Sequence, residues 1–199
     1  MCSSDLAVLK RETVAIFGDY DVDGACASAL LGSFLEACGV PYIIYIPDRI
    51  FDGYGPNVEA IQKLAEQGAR LLVTVDCGTV SHAPIAEAAR LGLDTVVLDH
   101  HQAPEALPAA CAIVNPNRQD DLSGLGHLCA AGVVFMALVA VHRELRLRNE
   151  FRSFDLMRAL DLVALATVAD VVPLRGLNRA FVARGLEVDR KSTRLNSSH

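Results

Sequence analysis

Short apolar runs alternate with longer Ala- and Leu-rich segments in the first part of the chain. Each run is rich in β-branched residues and is bounded by Gly, Pro, Asp or Asn, which is typical of a buried strand. The runs predict strands at Thr13–Phe17, Tyr42–Ile46, Leu71–Val75, Thr95–Leu98 and Ala112–Val114. Helical spacing between them predicts helices at Ala25–Cys38, Asn57–Gln67 and Pro84–Leu91. Because strands and helices alternate, we expect an α/β fold with a doubly wound parallel sheet and helices on both faces.

The pattern changes after Asn115-Pro116-Asn117, where no further strand is predicted. Ala130–Arg148 and Phe154–Val168 have helical spacing, and Asn149–Phe154 is the predicted connection between them. No internal repeat, low-complexity tract or flexible linker interrupts the sequence. We therefore expect one domain whose C-terminal part is helical.

Composition narrows the class of protein. The 199 residues are 52% hydrophobic and 21% charged, which suits one sizeable core, and no apolar run is long enough to span a membrane. The six cysteines form no C-x-x-C pair and several lie in apolar stretches, so we expect reduced, buried thiols. Since no signal peptide opens the sequence, a cytoplasmic location without a membrane partner is predicted.

Both termini are predicted to be foreign to the biological sequence. Residues 189–199 back-translate into a common sequencing-library adapter, and residues 1–6 fit the same adapter in the reverse orientation. We hypothesise that the biological sequence is Ala7–Val188 and that it is one truncated catalytic domain. The source nucleotide sequence would test this hypothesis.

Three carboxylates follow the first predicted strand. Asp19, Asp21 and Asp23 lie in the sequence GDYDVDG, directly before the first predicted helix. In open α/β sheets ligands bind beyond the carboxyl ends of the strands, so these acids are expected in a binding turn. Capping of the helix N-terminus would explain one Asp but not three. A calcium loop of the EF-hand type fits poorly, because no Glu closes the loop.

Ionisable residues also follow the third and fourth predicted strands. Asp76 directly follows the third strand, and Asp99, His100 and His101 follow the fourth. Each motif alone is weak, since a single Asp after a strand is usually a turn residue and a single His is usually an ordinary side chain. Because the ends of parallel strands meet at one edge of a sheet, however, these side chains can converge with the first cluster.

Asp170 lies in an otherwise apolar run just after the last predicted helix. A buried carboxylate without a partner is costly, so we expect Asp170 to meet a cation, with helix capping as the alternative. Carboxylates mixed with imidazole suit Mn²⁺ or Mg²⁺ better than a structural zinc site, which would favour thiolates. Two divalent ions about 3.5–4 Å apart are the usual arrangement for phosphoester hydrolysis. The net charge of −6 agrees, because an acidic chain that handles phosphates needs cations.

Four motifs in this order resemble those of the DHH phosphoesterase superfamily. They are DYDVDG at residues 19–24, VD at 75–76, DHH at 99–101 and TVAD at 167–170. Within the superfamily the chain is most similar to the RecJ branch of single-stranded-DNA-specific exonucleases, which further stretches resemble. These are FDGYG at 51–55, IVNPN at 113–117, AGVVF at 131–135 and DLVAL at 161–165. The resemblance spans nearly all of Ala7–Val188 and implies an N-terminal catalytic fragment with the DHH fold.

The resemblance implies a role for each matching residue. The residues that resemble metal ligands of two divalent ions, Mn²⁺ or Mg²⁺, are Asp21, Asp23, Asp76, His100 and Asp170. Asp76 is the implied bridging carboxylate, and Asp19 is expected to join the ligands. His101 is the second implied catalytic residue beside Asp76, because it resembles the residue that contacts the scissile phosphate or protonates the leaving group. Asp99 would orient the histidine pair. Arg49 is expected to contact a phosphate, and an ordinary solvated surface Arg is an equally weighted alternative.

Phe17 departs from the superfamily pattern, because many members have His at this position. Asp19 is expected to compensate for the missing ligand. RecJ-like enzymes also carry a DHHA1 domain and an OB-fold domain that bind the DNA strand, and neither is expected in this chain.

The resemblance implies 5′-to-3′ hydrolysis of single-stranded DNA in repair and recombination. A single-strand-binding protein and a helicase are implied partners besides the DNA strand. A nanoRNase, a cyclic-dinucleotide phosphodiesterase and an inorganic pyrophosphatase are alternatives within the superfamily. A further alternative is a non-catalytic scaffold with the DHH fold, which loss of the Asp or His ligands would indicate.

Overall fold

Five parallel strands form the sheet at the centre of the protein. The structure is a computed structural model that describes residues 12–50, 53–148 and 154–191. The strands are β1 (Val14–Phe17), β2 (Tyr42–Tyr45), β3 (Leu71–Val75), β4 (Asp94–Leu98) and β5 (Ala112–Val114). They lie in the order β2-β1-β3-β4-β5, and each adjacent pair is parallel. The predicted parallel sheet is therefore confirmed, and each predicted strand matches its observed bounds to within one residue.

Helices cover both faces of this sheet, as the alternating pattern predicts. They are α1 (Val22–Cys38), α2 (Val58–Glu66), α3 (His82–Arg90), α4 (Ala130–Leu147), α5 (Leu160–Ala169) and α6 (Gly176–Lys191), with a 3-10 turn at Leu156–Ala159 before α5. Val14 and Ile16 of β1 are buried against the face that carries α1, α4, α5 and α6. Ala15 and Phe17 enter the opposite core beneath α2 and α3. Burial on both faces explains why all four residues of β1 are apolar.

Three helices differ from the sequence-based predictions. The helix predicted over Phe154–Val168 is divided, because the Asp155 side chain caps a separate 3-10 turn and α5 begins only at Leu160. α1 begins at Val22, earlier than predicted, because the Asp21 side chain caps it by accepting a hydrogen bond from the Gly24 amide at 2.8 Å. Asp23 therefore lies in the first helical turn and not in a turn before the helix. α6 does not follow from the apolar pattern, because apolar residues make up less than half of its sequence, which also contains two glycines. Its packing against α5 supplies the stabilisation that its own sequence lacks.

Part of the predicted organisation lies outside the described residues. These parts are residues 149–153 of the predicted connection, and residues 1–6 and 192–199 of the predicted adapter segments. Asp189–Lys191 form the last turn of α6. The boundaries Ala7–Val188 stay a prediction.

Two expectations from composition concern thiols and membrane spans. Five cysteines within the described residues are free thiols, and Cys26, Cys77 and Cys129 are buried as expected. Burial raises the pKa of the Cys26 thiol to about 11. Cys111 is exposed, although apolar residues surround it in the sequence. None of the described helices is both long and apolar enough to cross a membrane.

The order of the strands reverses between β1 and β3. From β1 the chain passes through α1 to β2 on one side, and it then returns through α2 to β3 on the other side. Such a reversal opens a crevice beyond the carboxyl ends of the two strands, where ligands of open α/β sheets bind. Phe17 is paired with Thr74, so β1 and β3 end at nearly the same level. The predicted metal-binding motifs follow these two strand ends directly.

A close helix crossing fixes α6 against α5. Gly185 is buried, and a Cβ atom at this position would overlap the carbonyl oxygen of Leu160 and the side chain of Ala164. The short separation of the two helix backbones therefore requires glycine here.

Gly185→Ala should lower the free energy of unfolding by about 1–3 kcal/mol, the usual cost of overpacking a core. Urea or thermal unfolding measures the change. Gly132→Ala in α4 is the matched control, because its Cβ would meet Leu128 at an ordinary contact distance of 3.5 Å. Equal stability of Gly185→Ala and the parent chain would contradict the close crossing.

Candidate metal centre

Six carboxylates and two imidazoles meet beyond the carboxyl ends of β1, β3 and β4. They are Asp19, Asp21, Asp23, Asp76, Asp99, His100, His101 and Asp170. The ligand atoms of all these residues except Asp99 form three overlapping groups, and within each group the atoms lie within 4.8 Å of one another. The groups are Asp19 with Asp21 and Asp76, Asp76 with His100 and His101, and Asp23 with His100 and Asp170. The structure thus brings the predicted ligands together, and their individual roles stay predictions.

Asp76 lies at the centre of this cluster. Its backbone has a left-handed conformation with φ of 63°, which an Asp tolerates and which bends the chain sharply as it leaves β3. The residue is 1% exposed, and neither side-chain oxygen accepts a hydrogen bond from the described residues. Burial raises the pKa of Asp76 to about 7, and nearby Asp23 adds to this although His100 opposes it. A carboxylate in this setting is well placed to bind a cation.

Asp21 and Asp23 each combine helix capping with a place in the cluster. The Asp21 side chain caps α1, as described above. Asp23 is 1% exposed and accepts hydrogen bonds from the amides of Ala130 at 2.6 Å and Ala131 at 2.8 Å, at the N-terminus of α4. Burial raises the pKa of Asp23 although these two bonds oppose it. Each carboxylate oxygen has a further lone pair, so capping and metal binding are compatible.

A backbone carbonyl orients His100. Its Nδ1 lies 3.1 Å from the carbonyl oxygen of Leu128, which fits the tautomer that donates from Nδ1. Its Nε2 faces the carboxylates, 3.7 Å from Asp23 Oδ2 and 3.1 Å from Asp76 Oδ1, and the latter contact lacks hydrogen-bond geometry. Burial would lower the pKa of His100, but Asp76, Asp23 and Asp170 raise it to about 9. A metal ion bound at Nε2 would take the place of the proton that Nε2 carries in the imidazolium form.

Asp99 contacts both histidines, through the ring of His101 and through the backbone amides of His100 and His101, and its orienting role stays a prediction. Its Oδ1 accepts from the His101 Nδ1 at 2.8 Å, and from the amides of His100 and His101 at 2.7 and 3.2 Å. Its Oδ2 accepts from the amide of Thr79 at 3.0 Å. Burial opposes ionisation of Asp99, but the donors of His101 and Thr79 hold its pKa well below the usual value. The ring of His100 is held by Leu128.

Asp170 closes the cluster from the helical side. It lies at the C-terminal end of α5, where the helix dipole disfavours a negative charge. Its Oδ2 accepts no hydrogen bond from the described residues and lies 3.8 Å from His100 Nδ1. Burial raises the pKa of Asp170. Helix capping does not account for this side chain, because an ionised carboxylate cannot donate to the free carbonyl groups of the helix end.

Phe17, the departure from the superfamily pattern, belongs to the core. Its side chain is 0% exposed and stacks on Tyr45, with ring centroids 5.2 Å apart, beneath α2 and α3. Asp19 instead lies beside Asp21 and Asp76. Burial raises the pKa of Asp19, although a hydrogen bond from the Tyr20 amide opposes this. Asp19 therefore supplies the third carboxylate of that group without any ligand from position 17.

Arg49 and Tyr54 lie at the rim of the cluster. The exposed Arg49 guanidinium lies 5.2 Å from the centre of the Tyr20 ring, which holds a positive charge beside the carboxylates. The Tyr54 hydroxyl donates to the carbonyl oxygen of Asp76 at 3.3 Å and lies 3.3 Å from His101 Nε2. Burial and the nearby carboxylates hold the pKa of Tyr54 above its usual value, so the hydroxyl remains a donor. The predicted phosphate contact of Arg49 stays a prediction, and Tyr54 is an addition to the predicted site.

The backbone of the histidine pair is held by residues that the sequence motifs do not identify as functional. Asn115 Nδ2 donates to the carbonyl oxygen of His101 at 2.9 Å and to Thr79 Oγ1 at 2.9 Å. Asn117 Nδ2 donates to the carbonyl oxygen of His100 at 2.5 Å. Both asparagines belong to the NPN stretch that resembles RecJ, which is the signal that could have identified them. An amide side chain is well suited to this task, because it carries two donors.

The donor set suits a hard or borderline divalent cation. Carboxylate oxygens and imidazole nitrogens make up all three groups found within the described residues, and no thiol belongs to them. Oxygen-rich sites of this kind favour Mn²⁺ or Mg²⁺. Asp76 belongs to two of the groups, so one carboxylate can reach two ions.

The fold and this site agree with a known family. The DHH family, N-terminal domain, matches residues 13–167, and the chain belongs to this family. The single-stranded-DNA-specific exonuclease RecJ of Dickeya dadantii is 41% identical over 186 residues, which cover 90% of this chain and 32% of that protein. RecJ of Bacillus subtilis is 36% identical over 189 residues, 95% of this chain and 23% of that protein. The chain thus spans about a quarter to a third of the length of these relatives.

Solved structures of similar proteins include two with manganese. The crystal structure of exonuclease RecJ bound to manganese has a TM-score of 0.80 and 33% identity, and the match covers 93% of this chain and 46% of that chain. RecJ from Thermus thermophilus in complex with Mn²⁺ has a TM-score of 0.76 and 32% identity, over 92% of this chain and 25% of that chain. The α/β architecture of the described residues is therefore shared with these structures.

Asp76→Asn should stabilise the metal-free protein by about 1–3 kcal/mol, because it removes a buried charge that has no hydrogen-bond partner. Asn keeps the size of the side chain and tolerates the left-handed backbone. Thermal unfolding in EDTA and in Mn²⁺ measures two effects. The variant should be more stable than the parent in EDTA, and it should lose the stabilisation that Mn²⁺ gives the parent.

Glu66→Gln is the control, because it removes one negative charge from an exposed position of α2. It should leave both measurements unchanged. An Asp76→Asn variant that is less stable than the parent in EDTA, or a parent that Mn²⁺ does not stabilise, would count against a cation site at Asp76.

Proposed function

We propose that this chain carries the metal-dependent catalytic region of a single-stranded-DNA-specific exonuclease of the RecJ type. The observation that carries the proposal is the position of Asp76, whose carboxylate lacks a hydrogen-bond partner among the described residues and belongs to two ligand groups. Similarity to RecJ over 90% of the chain supports the same assignment. Two divalent ions, Mn²⁺ or Mg²⁺, are the proposed cofactors, since similar structures are described in complex with manganese or magnesium.

The ligand groups suggest how two ions would be held. Asp19, Asp21 and Asp76 would hold one ion, and the group of Asp23, His100 and Asp170 would hold the other. Asp76 would be shared between the two ions, because it also forms a group with His100. When bound, the ions would lower the pKa of a water molecule and stabilise charge on the attacking and leaving oxygens. The short contact of 3.1 Å between Asp76 Oδ1 and His100 Nε2 supports a position of Asp76 between the two groups.

His101 is the proposed acid that protonates the leaving oxygen. Its hydrogen bond with Asp99 places a proton on Nδ1, raises the pKa of His101 and leaves Nε2 at the open side of the site. The side chain is 48% exposed, so a phosphodiester can approach it. The Tyr54 hydroxyl beside Nε2 restricts the rotation of the ring. Arg49 is the proposed phosphate contact at the same rim.

The proposed substrate is single-stranded DNA that is digested from its 5′ end in repair and recombination. The polarity is proposed from the similarity to RecJ. A single-strand-binding protein and a helicase are proposed partners, and the cytoplasm is the proposed location. Because the net charge is −6, attraction of the strand by this chain would depend on the metal ions and on local positive groups such as Arg49.

Other enzymes of the superfamily are the alternative. A nanoRNase, a cyclic-dinucleotide phosphodiesterase or a pyrophosphatase would use the same ligand groups. The RecJ-like stretches favour the exonuclease, since Tyr54, Asn115 and Asn117 in these stretches contact the histidine pair or Asp76. A non-catalytic scaffold is disfavoured, because each of the predicted Asp and His ligands lies in the cluster.

In Mn²⁺ the protein should release a labelled mononucleotide from 5′-labelled single-stranded DNA before it releases label from the same strand labelled at the 3′ end. Gel electrophoresis of a time course resolves the two products, and EDTA should stop the reaction. Asp76→Ala should abolish the activity while circular dichroism shows an intact fold, and Glu66→Gln should retain it. Faster hydrolysis of pyrophosphate, cyclic dinucleotides or short RNA than of the DNA strand would overturn the exonuclease assignment.

His101→Ala should lower kcat by about 10²–10⁴-fold, the usual contribution of general acid catalysis. Binding of Mn²⁺, measured by isothermal titration calorimetry, should stay within about threefold of the parent, because the proposed ions are held by other side chains. Asp99→Asn should show part of the same loss in kcat, since Asp99 orients the ring. A tenfold or greater loss of Mn²⁺ affinity in His101→Ala would instead identify His101 as a ligand.

A further inference from the structure

Asn178 is a fully buried polar side chain in the first turn of α6. Its Nδ2 donates to the carbonyl oxygen of His127 at 2.6 Å and to the carbonyl oxygen of Pro173 at 3.0 Å. Its Oδ1 accepts no hydrogen bond from the described residues. Both donors of the amide are therefore used, and the side chain joins two loops that are far apart in sequence.

The loop that contains His127 is followed by backbone groups that contact two predicted metal ligands, His100 and Asp23. His127 directly precedes Leu128, whose carbonyl oxygen orients the ring of His100. Two and three residues after Leu128, the amides of Ala130 and Ala131 donate to Asp23. A shift of the His127 carbonyl would therefore move the groups that orient both of these ligands.

The second loop leads directly to Asp170. Pro173 lies three residues after Asp170, and between them Val171 has a left-handed backbone with φ of 56°. A β-branched residue adopts this conformation only when its surroundings hold it, because the conformation costs free energy. The hydrogen bond from Asn178 to Pro173 closes this loop against the start of α6.

We propose that Asn178 is a positioning residue for the metal site formed by Asp23, His100 and Asp170. Backbone groups beside the first loop donate to Asp23 and accept from His100, Asp170 lies at the start of the second loop, and the Asn178 amide joins these loops. The inference rests on the proposed two-metal function. At the other site, Asp19 and Asp21 accept hydrogen bonds from the amides of Tyr20 and Gly24, and Asp76 accepts none from the described residues, so these hydrogen bonds do not come from the two loops.

The competing interpretation is that Asn178 only stabilises the packing of α6. A buried amide with two hydrogen bonds contributes to stability wherever it lies. The two interpretations differ in one measurable respect: a positioning role weakens one metal site selectively, whereas a packing role lowers stability and leaves metal affinity unchanged in the folded protein.

Asn178→Ser is the test variant, because serine is too short and has too few donors to reach both carbonyl groups. Mn²⁺ binding to the full 199-residue chain is measured by isothermal titration calorimetry, below the unfolding temperature. In an Asp21→Asn background, which leaves the site of Asp23, His100 and Asp170, the substitution should weaken Mn²⁺ binding about tenfold or more, as for other residues that orient metal ligands. In an Asp170→Asn background, which leaves the other site, the change should stay below about threefold.

Phe181→Leu is the matched control on the next turn of α6. Phe181 is 7% exposed and packs edge-on against Phe135, with ring centroids 5.3 Å apart, so its truncation weakens the packing of α6 without touching the amide. It should lower the unfolding temperature and leave Mn²⁺ affinity unchanged. Equal losses of affinity in Phe181→Leu and Asn178→Ser, or equal losses in both backgrounds, would overturn the positioning role.

Asn178→Asp is the second variant if Asn178→Ser does not fold, because it keeps the size of the side chain and removes both donors. If neither variant folds, the side chain is required for the fold, and the proposal is wrong. A parent chain that binds no Mn²⁺ would overturn the proposed function itself, whereas a parent that binds two ions and an unaffected Asn178→Ser variant would overturn only the positioning role.

Discussion

Crowding of buried carboxylates at the carboxyl edge of the sheet is the constraint on which the rest of the site depends. Asp19, Asp23, Asp76 and Asp170 all have raised pKa values, and burial is the largest cause in each case. Like charges brought together in a poorly solvated crevice oppose folding unless donors or cations offset them. Hydrogen-bond donors in the surrounding structure offset this repulsion only in part. A bound metal ion would offset the repulsion that remains.

The donors around the cluster are distributed unequally. Asp23 receives two amides from the start of α4, and Asp99 receives donors from His101 and Thr79, which hold its pKa low. Asp76 has no such donor among the described residues, although it is as deeply buried as Asp23. A buried carboxylate that served only to stabilise the fold would be expected to accept hydrogen bonds. Asp23 and Asp99 are therefore held by donors and orient neighbouring groups, whereas Asp76 is the carboxylate best placed to bind ions.

Much of the fold follows from the sequence, because parallel strands buried on both faces must be almost wholly apolar and end abruptly at polar residues. This is true of Val14–Phe17 and Leu71–Val75, and the rule that ligands lie beyond strand ends then places Asp76 beside Asp19 and Asp21, which precede α1. The contacts that orient the site are harder to predict. The carbonyl group of Leu128 carries no residue-specific signal, and the sequence of α6 does not indicate which carbonyl groups Asn178 would meet. Long-range hydrogen bonds of this kind depend on the tertiary structure alone.

The N-terminus of α4 and the C-terminus of α5 have opposite electrostatic effects on the site. The N-terminus of α4 places partial positive charge on Asp23, whereas the C-terminus of α5 adds partial negative charge beside Asp170. A cation held by Asp23, His100 and Asp170 would offset the partial negative charge beside Asp170. It would leave the stabilising effect of α4 on Asp23 unchanged. Since the helices α4 and α5 belong to the part of the chain that follows the sheet, binding of that cation would tie the helical part to the sheet edge. Metal binding would then contribute directly to the stability of the folded chain, because the ligands come together only when both parts are packed.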